Sequence, residues 1–98
     1  MEITYKNRKL EKICTIASET VKFHGKSMAE KIHQRIGEIS AAETLEEMLK
    51  FKIGGCHPLT GDRAGEYGLY LVHPRRLVFK MVKNKINVVC ILEVVDYH

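Results

Sequence analysis

The chain has 98 residues, 45% hydrophobic and 29% charged, which suits one compact folding domain over 1–98 and excludes a disordered chain. Its longest apolar run, Val88 to Leu92, is far shorter than the roughly 20 residues that span a bilayer, and Cys14, Cys56 and Cys90 are widely spaced with no CxxC pair, so neither a disulfide framework nor a zinc knuckle is indicated. The net charge of +4 fits a polyanionic partner; a cytoplasmic protein with no metal, no cofactor and no membrane contact is expected.

In chain order, Ile3 to Tyr5 reads as a short strand. Asn7 offers a helix N-cap before Leu10, Ile13, Cys14, Ala17 and Val21, a helical spacing, with Lys6, Arg8, Lys9, Lys12 and Lys22 mainly off that stripe. Gly25 interrupts the pattern. A second helix is predicted from Lys26 to about Ile39, with Met28, Ala29, Ile32, Ile36 and Ile39 on one face, so the two helices form a hairpin. Thr44 and Glu47 have capping-box spacing and start a third, short helix that Gly54 and Gly55 end.

From Cys56 the periodicity becomes strand-like. The segment His57-Pro58-Leu59-Thr60-Gly61-Asp62 reads as a loop. Tyr67 to Val72 reads as a strand ending at His73-Pro74, followed by a turn into Leu77 to Val82. After a Lys83-Asn84-Lys85 turn, Ile86 to Val95 is apolar at both parities and reads as a central strand buried on both faces. The fold class expected is α+β: a helical hairpin and a short helix packed on a small antiparallel sheet of three or four strands.

No phosphate loop, metalloprotease helix or nucleophile elbow is present. His24 and His33 read as solvated surface. The polar residues with chemical potential, His57, Asp62, Arg63, Arg76, Lys80, Asp96 and His98, fall in loops or near strand ends of the second half, where sites are often built. An unbroken period of two would put Asp96 and His98 on the face of Leu92 and Val94, with Tyr97 opposite. An exposed polar tail is the plainer alternative for that triplet.

These residue types suit RNA cleavage by the ribose 2′-hydroxyl. Imidazoles such as His57 and His98 exchange protons near neutral pH. Asp96 would orient an imidazole or act as base, and Arg63 and Arg76 would hold the phosphate with paired donors. Tyr67, Tyr70 and Tyr97 are candidates for stacking on splayed bases, although core packing suits the strand tyrosines equally well.

Residues 54–98 resemble the RelE/ParE toxin superfamily and, within it, the HigB-like branch of plasmid-maintenance killer proteins. The resemblance rests on His57-Pro58-Leu59, Gly61-Asp62-Arg63, Gly65 with Tyr67 after it, Arg76 with Phe79, and Val95-Asp96-Tyr97-His98. It implies a RelE-like fold and the toxin of a type II toxin–antitoxin system, a ribosome-dependent endoribonuclease (mRNA interferase) that inhibits translation. Its implied partners are the ribosome, mRNA and a cognate antitoxin, a small helix-turn-helix protein through which alone the chain would meet DNA.

Carried over by position, the resemblance implies His57, Asp96, Tyr97 and His98 as catalytic residues and Arg63, Arg76, Lys80 and Tyr67 as RNA or phosphate contacts. Two positions depart from the family pattern: Thr60 stands where a catalytic lysine usually follows His-Pro-Leu, and Arg75 where an aromatic usually precedes the arginine. The alternatives are therefore a catalytically weak or inactive RelE-fold protein acting as an antitoxin or nucleic-acid-binding module, and a ParE-like gyrase inhibitor.

Overall fold

The computed structural model describes residues 1–96; Tyr97 and His98 lie outside the described residues. Strand β1 (Glu2–Tyr5) leads into helices α1 (Arg8–Thr15), α2 (Ala17–His24), α3 (Lys26–Ala41) and α4 (Leu45–Lys50). A 3-10 turn at Ile53–Gly55 then opens the strand-rich half: β2 (His57–Pro58), a 3-10 turn at Gly61–Arg63, β3 (Glu66–Tyr70), β4 (Arg75–Met81) and β5 (Val88–Asp96). This is the α+β class indicated by the change in periodicity.

Local chemistry accounts for the helix boundaries. The Asn7 side chain accepts the Leu10 N–H at 2.8 Å and Thr44 accepts the Glu47 N–H at 3.1 Å, satisfying donors that a helix start leaves without a partner. The reciprocal bond of a capping box is displaced by one residue, because the Glu47 carboxylate accepts from Glu43 N–H at 3.4 Å. At the far end of α3, the Met1 ammonium donates to the carbonyls of Ile39, Ser40 and Ala42 at 3.2, 2.9 and 2.6 Å, a cation where the helix dipole favours one.

The single helix expected from Leu10 to Val21 is instead two. Ile16 adopts an extended backbone (φ −95°, ψ 111°) between α1 and α2. The buried Thr20 hydroxyl stabilises the break: its oxygen lies 2.5 Å from the Ile13 carbonyl and 3.0 Å from that of Ile16, and 3.0 Å from His33 Nε2. A hydroxyl that reaches back to such carbonyls competes with the helical ladder, and hydrophobic spacing alone does not report it.

The sheet has five strands in the order β1-β5-β4-β3-β2. It is antiparallel from β5 to β2, but β1 joins β5 in parallel, Ile3 opposite Val89 and Tyr5 opposite Ile91. The loop expected at His57 therefore begins with a two-residue edge strand, His57 opposite Gly68 and Pro58 opposite Tyr67. The helices cover one face. Leu77, Phe79, Leu69, Val89 and Ile91 meet Ile32, Ile39 and Met48 there in one buried core, where apolar burial stabilises by about 25 cal/mol per Å².

β5 is central, as its composition predicts, yet only its first half is fully enclosed. Val88, Val89 and Ile91 are buried, whereas Leu92 to Val95 are half-exposed. A bulge also interrupts its register: Val78 pairs with Glu93 and Phe79 with Ile91, so Leu92 has no partner. The inserted residue reverses side-chain parity beyond it, turning Val94 and Asp96 towards the helix side and Glu93 towards the open face.

Candidate functional site

The open face of the sheet, opposite the helices, carries the polar residues of β2 to β5. One hollow in it, about 360 Å³, is lined by His57, Pro58, Leu59, Thr60, Arg63 and Arg76. Two glycines make this arrangement possible. Gly55 has φ +73°, and a Cβ there would stand 2.2 Å from the Tyr70 ring; at Gly68 a Cβ would stand 3.2 Å from His57 Nε2. Side chains at these two positions would displace the rings that build the site.

His57 Nδ1 is 2.8 Å from the Gly55 carbonyl. A carbonyl only accepts, so Nδ1 carries the hydrogen and the neutral ring leaves Nε2 with its lone pair. Beside it lies Tyr70, ring centroids 5.5 Å apart, and the Arg76 guanidinium sits over the Tyr70 ring at 4.4 Å, a cation–π contact. Arg76 also donates to the Arg75 carbonyl at 3.0 Å. Among the described residues no carboxylate pairs with Arg76, which leaves its charge for an anion.

Tyr70 is tied from behind. Arg35 of α3 donates through Nε to the Tyr70 carbonyl at 2.6 Å and through Nη1 to Glu38 at 2.8 Å. The helix layer thus holds the end of β3 that presents the ring, a packing of supporting groups behind the groups that face the cleft.

Arg63, expected as a phosphate contact, is already engaged. Its Nε is 2.6 Å from Glu66 Oε1 and its Nη2 is 3.2 Å from Glu93 Oε2. The hydrogen bond to Glu66, with a further contribution from Glu93, holds the guanidinium above its ordinary pKa. Its charge is balanced by two carboxylates. Glu66 and Glu93 are the site's neighbours that the sequence reading passed over, although Glu93 stands out as the one charged residue within the apolar run from Val88 to Val95.

Tyr67 and Asp96 are placed away from this cleft. Tyr67 stacks on Phe79, centroids 5.5 Å apart and planes 27° apart, packed against the core; the ring on the open face is Tyr70. Asp96 is opposite Arg75, its Oδ1 3.4 Å from Arg75 Nε, and lines a separate hollow with His24, Met28 and His73. The bulge at Leu92 is the reason, since without it Asp96 would have followed Leu92 onto the open face. Tyr97 and His98 belong to the undescribed residues.

Lys80 is exposed on the open face but lines another hollow, with Gly65, Glu66 and Cys90. Thr60 borders the cleft and brings no charge. Burial raises the Cys14 and Cys56 thiols to about 11, which disfavours thiolate chemistry there. Among the described residues no group of three His, Cys, Asp or Glu side chains is placed to hold a metal ion, and no helix is long and apolar enough to cross a membrane. What the cleft assembles is an imidazole with an available lone pair beside a guanidinium open to an anion.

No protein-family model and no curated protein matches the chain. Solved structures do match it along its whole length. The YoeB/ParE toxin from Agrobacterium tumefaciens is 16% identical with a TM-score of 0.62, covering 100% of both chains. The YoeB-YefM complex from Staphylococcus aureus is 23% identical with a TM-score of 0.64, covering 100% of this chain and 97% of that one. The YoeB dimer from Staphylococcus aureus has the same identity and coverage with a TM-score of 0.63. The chain has the fold of these toxins, helices packed on a five-stranded sheet.

Proposed function

We propose that this chain is the toxin of a toxin–antitoxin pair and cuts mRNA on the ribosome, a member of the RelE/ParE superfamily of HigB-like type. The observation that carries the reading is His57, whose tautomer the Gly55 carbonyl fixes so that Nε2 is available beside Arg76. In the reaction, Nε2 exchanges a proton with the ribose 2′-hydroxyl or the leaving oxygen, and Arg76 holds the phosphate as its charge grows. Tyr70 sets the height of Arg76 above the sheet. The shared fold and the His57 to Arg63 and Val95 to His98 sequence patterns support the same reading, as does the YoeB-YefM complex among the similar structures, in which that toxin has a partner protein. Here the partner is an antitoxin, and the protein works in the cytoplasm.

His98 is the proposed second proton carrier and Tyr97 a stacking ring; Asp96 stands opposite Arg75, outside the cleft. The test is primer extension on mRNA recovered from a translating extract supplied with purified protein. Cleavage within translated codons is expected, lowered on the order of 100-fold or more by His57→Ala, and also by Arg76→Ala and His98→Ala. Intact mRNA in the presence of well-folded protein would reject the reading.

One observation favours a second reading, a RelE-fold binding module without catalysis. Thr60 lacks a charge and Arg63 is balanced by Glu66 and Glu93, so the cleft has one open cation, Arg76, among its described lining residues. Under this reading growth arrest persists in His57→Ala and the mRNA stays whole. DNA damage on induction would instead mark a ParE-like gyrase inhibitor.

A further inference from the structure

The ladder between β2 and β3 stops one pair short. His57 faces Gly68 and the Leu59 N–H donates to the Glu66 carbonyl at 2.9 Å, so the antiparallel alternation makes Gly55 and Tyr70 the next pair to exchange main-chain bonds. Both residues turn elsewhere. The Gly55 N–H donates to the Lys52 carbonyl at 2.9 Å, and the Gly55 carbonyl accepts from His57 Nδ1 at 2.8 Å. The Tyr70 carbonyl accepts from Arg35 Nε at 2.6 Å.

One side chain of α3 therefore stands where the strand would have continued. The Arg35 side chain is only 13% exposed, and its Nη1 is 2.8 Å from Glu38 Oε1. The pair also backs the turn before β2: a Cβ on Gly54 would stand 2.9 Å from Arg35 Cδ and 3.0 Å from Glu38 Oε1. Gly54 and Gly55 have φ of +61° and +73°, a conformation that glycine adopts without a side-chain penalty. Tyr70 lays its ring against Gly55 and under Arg76, whose guanidinium is 4.4 Å from the ring centroid. Without Arg35 the Tyr70 carbonyl would need another donor, and the Gly55 N–H across the gap would meet that need most directly. Closing the gap would unwind the turn and draw the Gly55 carbonyl away from His57.

We infer that Arg35, backed by Glu38, is a positioning residue for the cleft: it holds the ladder open at Gly55 and Tyr70, and so fixes both the His57 tautomer and the place of Arg76. Arg35 does not itself line the cleft. Its action passes through two carbonyls, the one it binds on Tyr70 and the one that the open turn leaves to His57. The inference rests on the proposed function only in what the cleft is for; the link from α3 to His57 is a property of the fold.

The test is Arg35→Met, which keeps the length of the packed stem and removes every donor, with Thr20→Val as a control destabilised away from the cleft. Imidazole nitrogen spectra of isotopically labelled protein should show neutral His57 with its hydrogen on Nδ1 in the parent, and a mixture of both tautomers in Arg35→Met. The Arg76 side-chain signals should lose the ring-current shift that Tyr70 gives them. Both signatures should be unchanged in Thr20→Val, and Glu38→Gln should move them in the same direction by a smaller amount. In the cleavage assay kcat is expected to fall about tenfold or more, with KM within about twofold of the parent. Unchanged His57 and Arg76 signals in Arg35→Met, or equal changes in Thr20→Val, overturn the inference. If Arg35→Met does not fold, Glu38→Gln decides by the same signals: movement supports the link and its absence overturns it. A protein whose signals respond and that leaves mRNA whole loses the proposed function alone, and one that cuts mRNA at an undiminished kcat in Arg35→Met loses the positioning role alone.

Discussion

Strand β4 serves two faces with alternate residues. Leu77 and Phe79 enter the helix-covered core and are fully buried, while Arg76 and Lys80 project from the open face beside His57 and Glu66 respectively. The core side is held by close packing and tolerates little change. The open side holds its groups through a few directed contacts: the Gly55 carbonyl on His57, the Tyr70 ring beneath Arg76, and two glutamates on Arg63. Stability and the proposed chemistry are therefore expected to separate between Leu77 and Phe79 on one side and Arg76 on the other, with Val78 buried on the open-face parity.

The separation can be broken most sharply at His57. His57→Ala is expected to lower mRNA cleavage on the order of 100- to 10,000-fold while leaving the thermal midpoint nearly unchanged, as read by cleavage assay and calorimetry on the same sample. Phe79→Ala is the reciprocal case. Loss of its buried ring should cost about 3–5 kcal/mol in denaturant unfolding, and any protein that remains folded should retain cleavage. If Phe79→Ala silenced cleavage in folded protein, the two faces would not be independent.

Smaller effects test the joints. Thr20→Val removes the hydroxyl between Ile13, Ile16 and His33 and should cost about 1–3 kcal/mol by chemical denaturation, with no change at the cleft. His24 gives the smallest effect. Burial, reinforced by the Arg75 charge, lowers its pKa below the ordinary 6.5. The unfolded chain therefore binds that proton first as the pH falls, and the contribution of His24 to stability is present above about 6.5 and declines below it. His24→Gln should flatten the fall in stability between pH 7 and the His24 pKa, measured as unfolding midpoints across that range.

Local signals along the chain mark helix ends and stop short of contacts made between distant elements. Asn7, Gly25 and Thr44 marked helix ends because capping and turn chemistry act within a few residues. The break at Ile16 escaped, since it depends on a threonine hydroxyl whose contact with His33 crosses between helices. His57 and Arg76 stood among several polar candidates by residue type and pattern, and the fold brings both to one cleft. Tyr67 and Tyr70 were indistinguishable by type; parity sent one to Phe79 and the other to Arg76.

By itself the sequence determined the α+β class, the succession of a helical first half and a strand-rich second half, and the residue types available for proton transfer and anion binding, because these follow from local periodicity, capping and composition. Only the tertiary structure decided the partners. β1 inserts beside β5 in parallel across more than 80 residues of chain, Arg63 is balanced by Glu93 from a strand 30 residues away, and one extra residue at Leu92 carries Asp96 to the far side of the sheet from His57. Each is a long-range contact or a register choice, set by which neighbours complete the packing of the sheet.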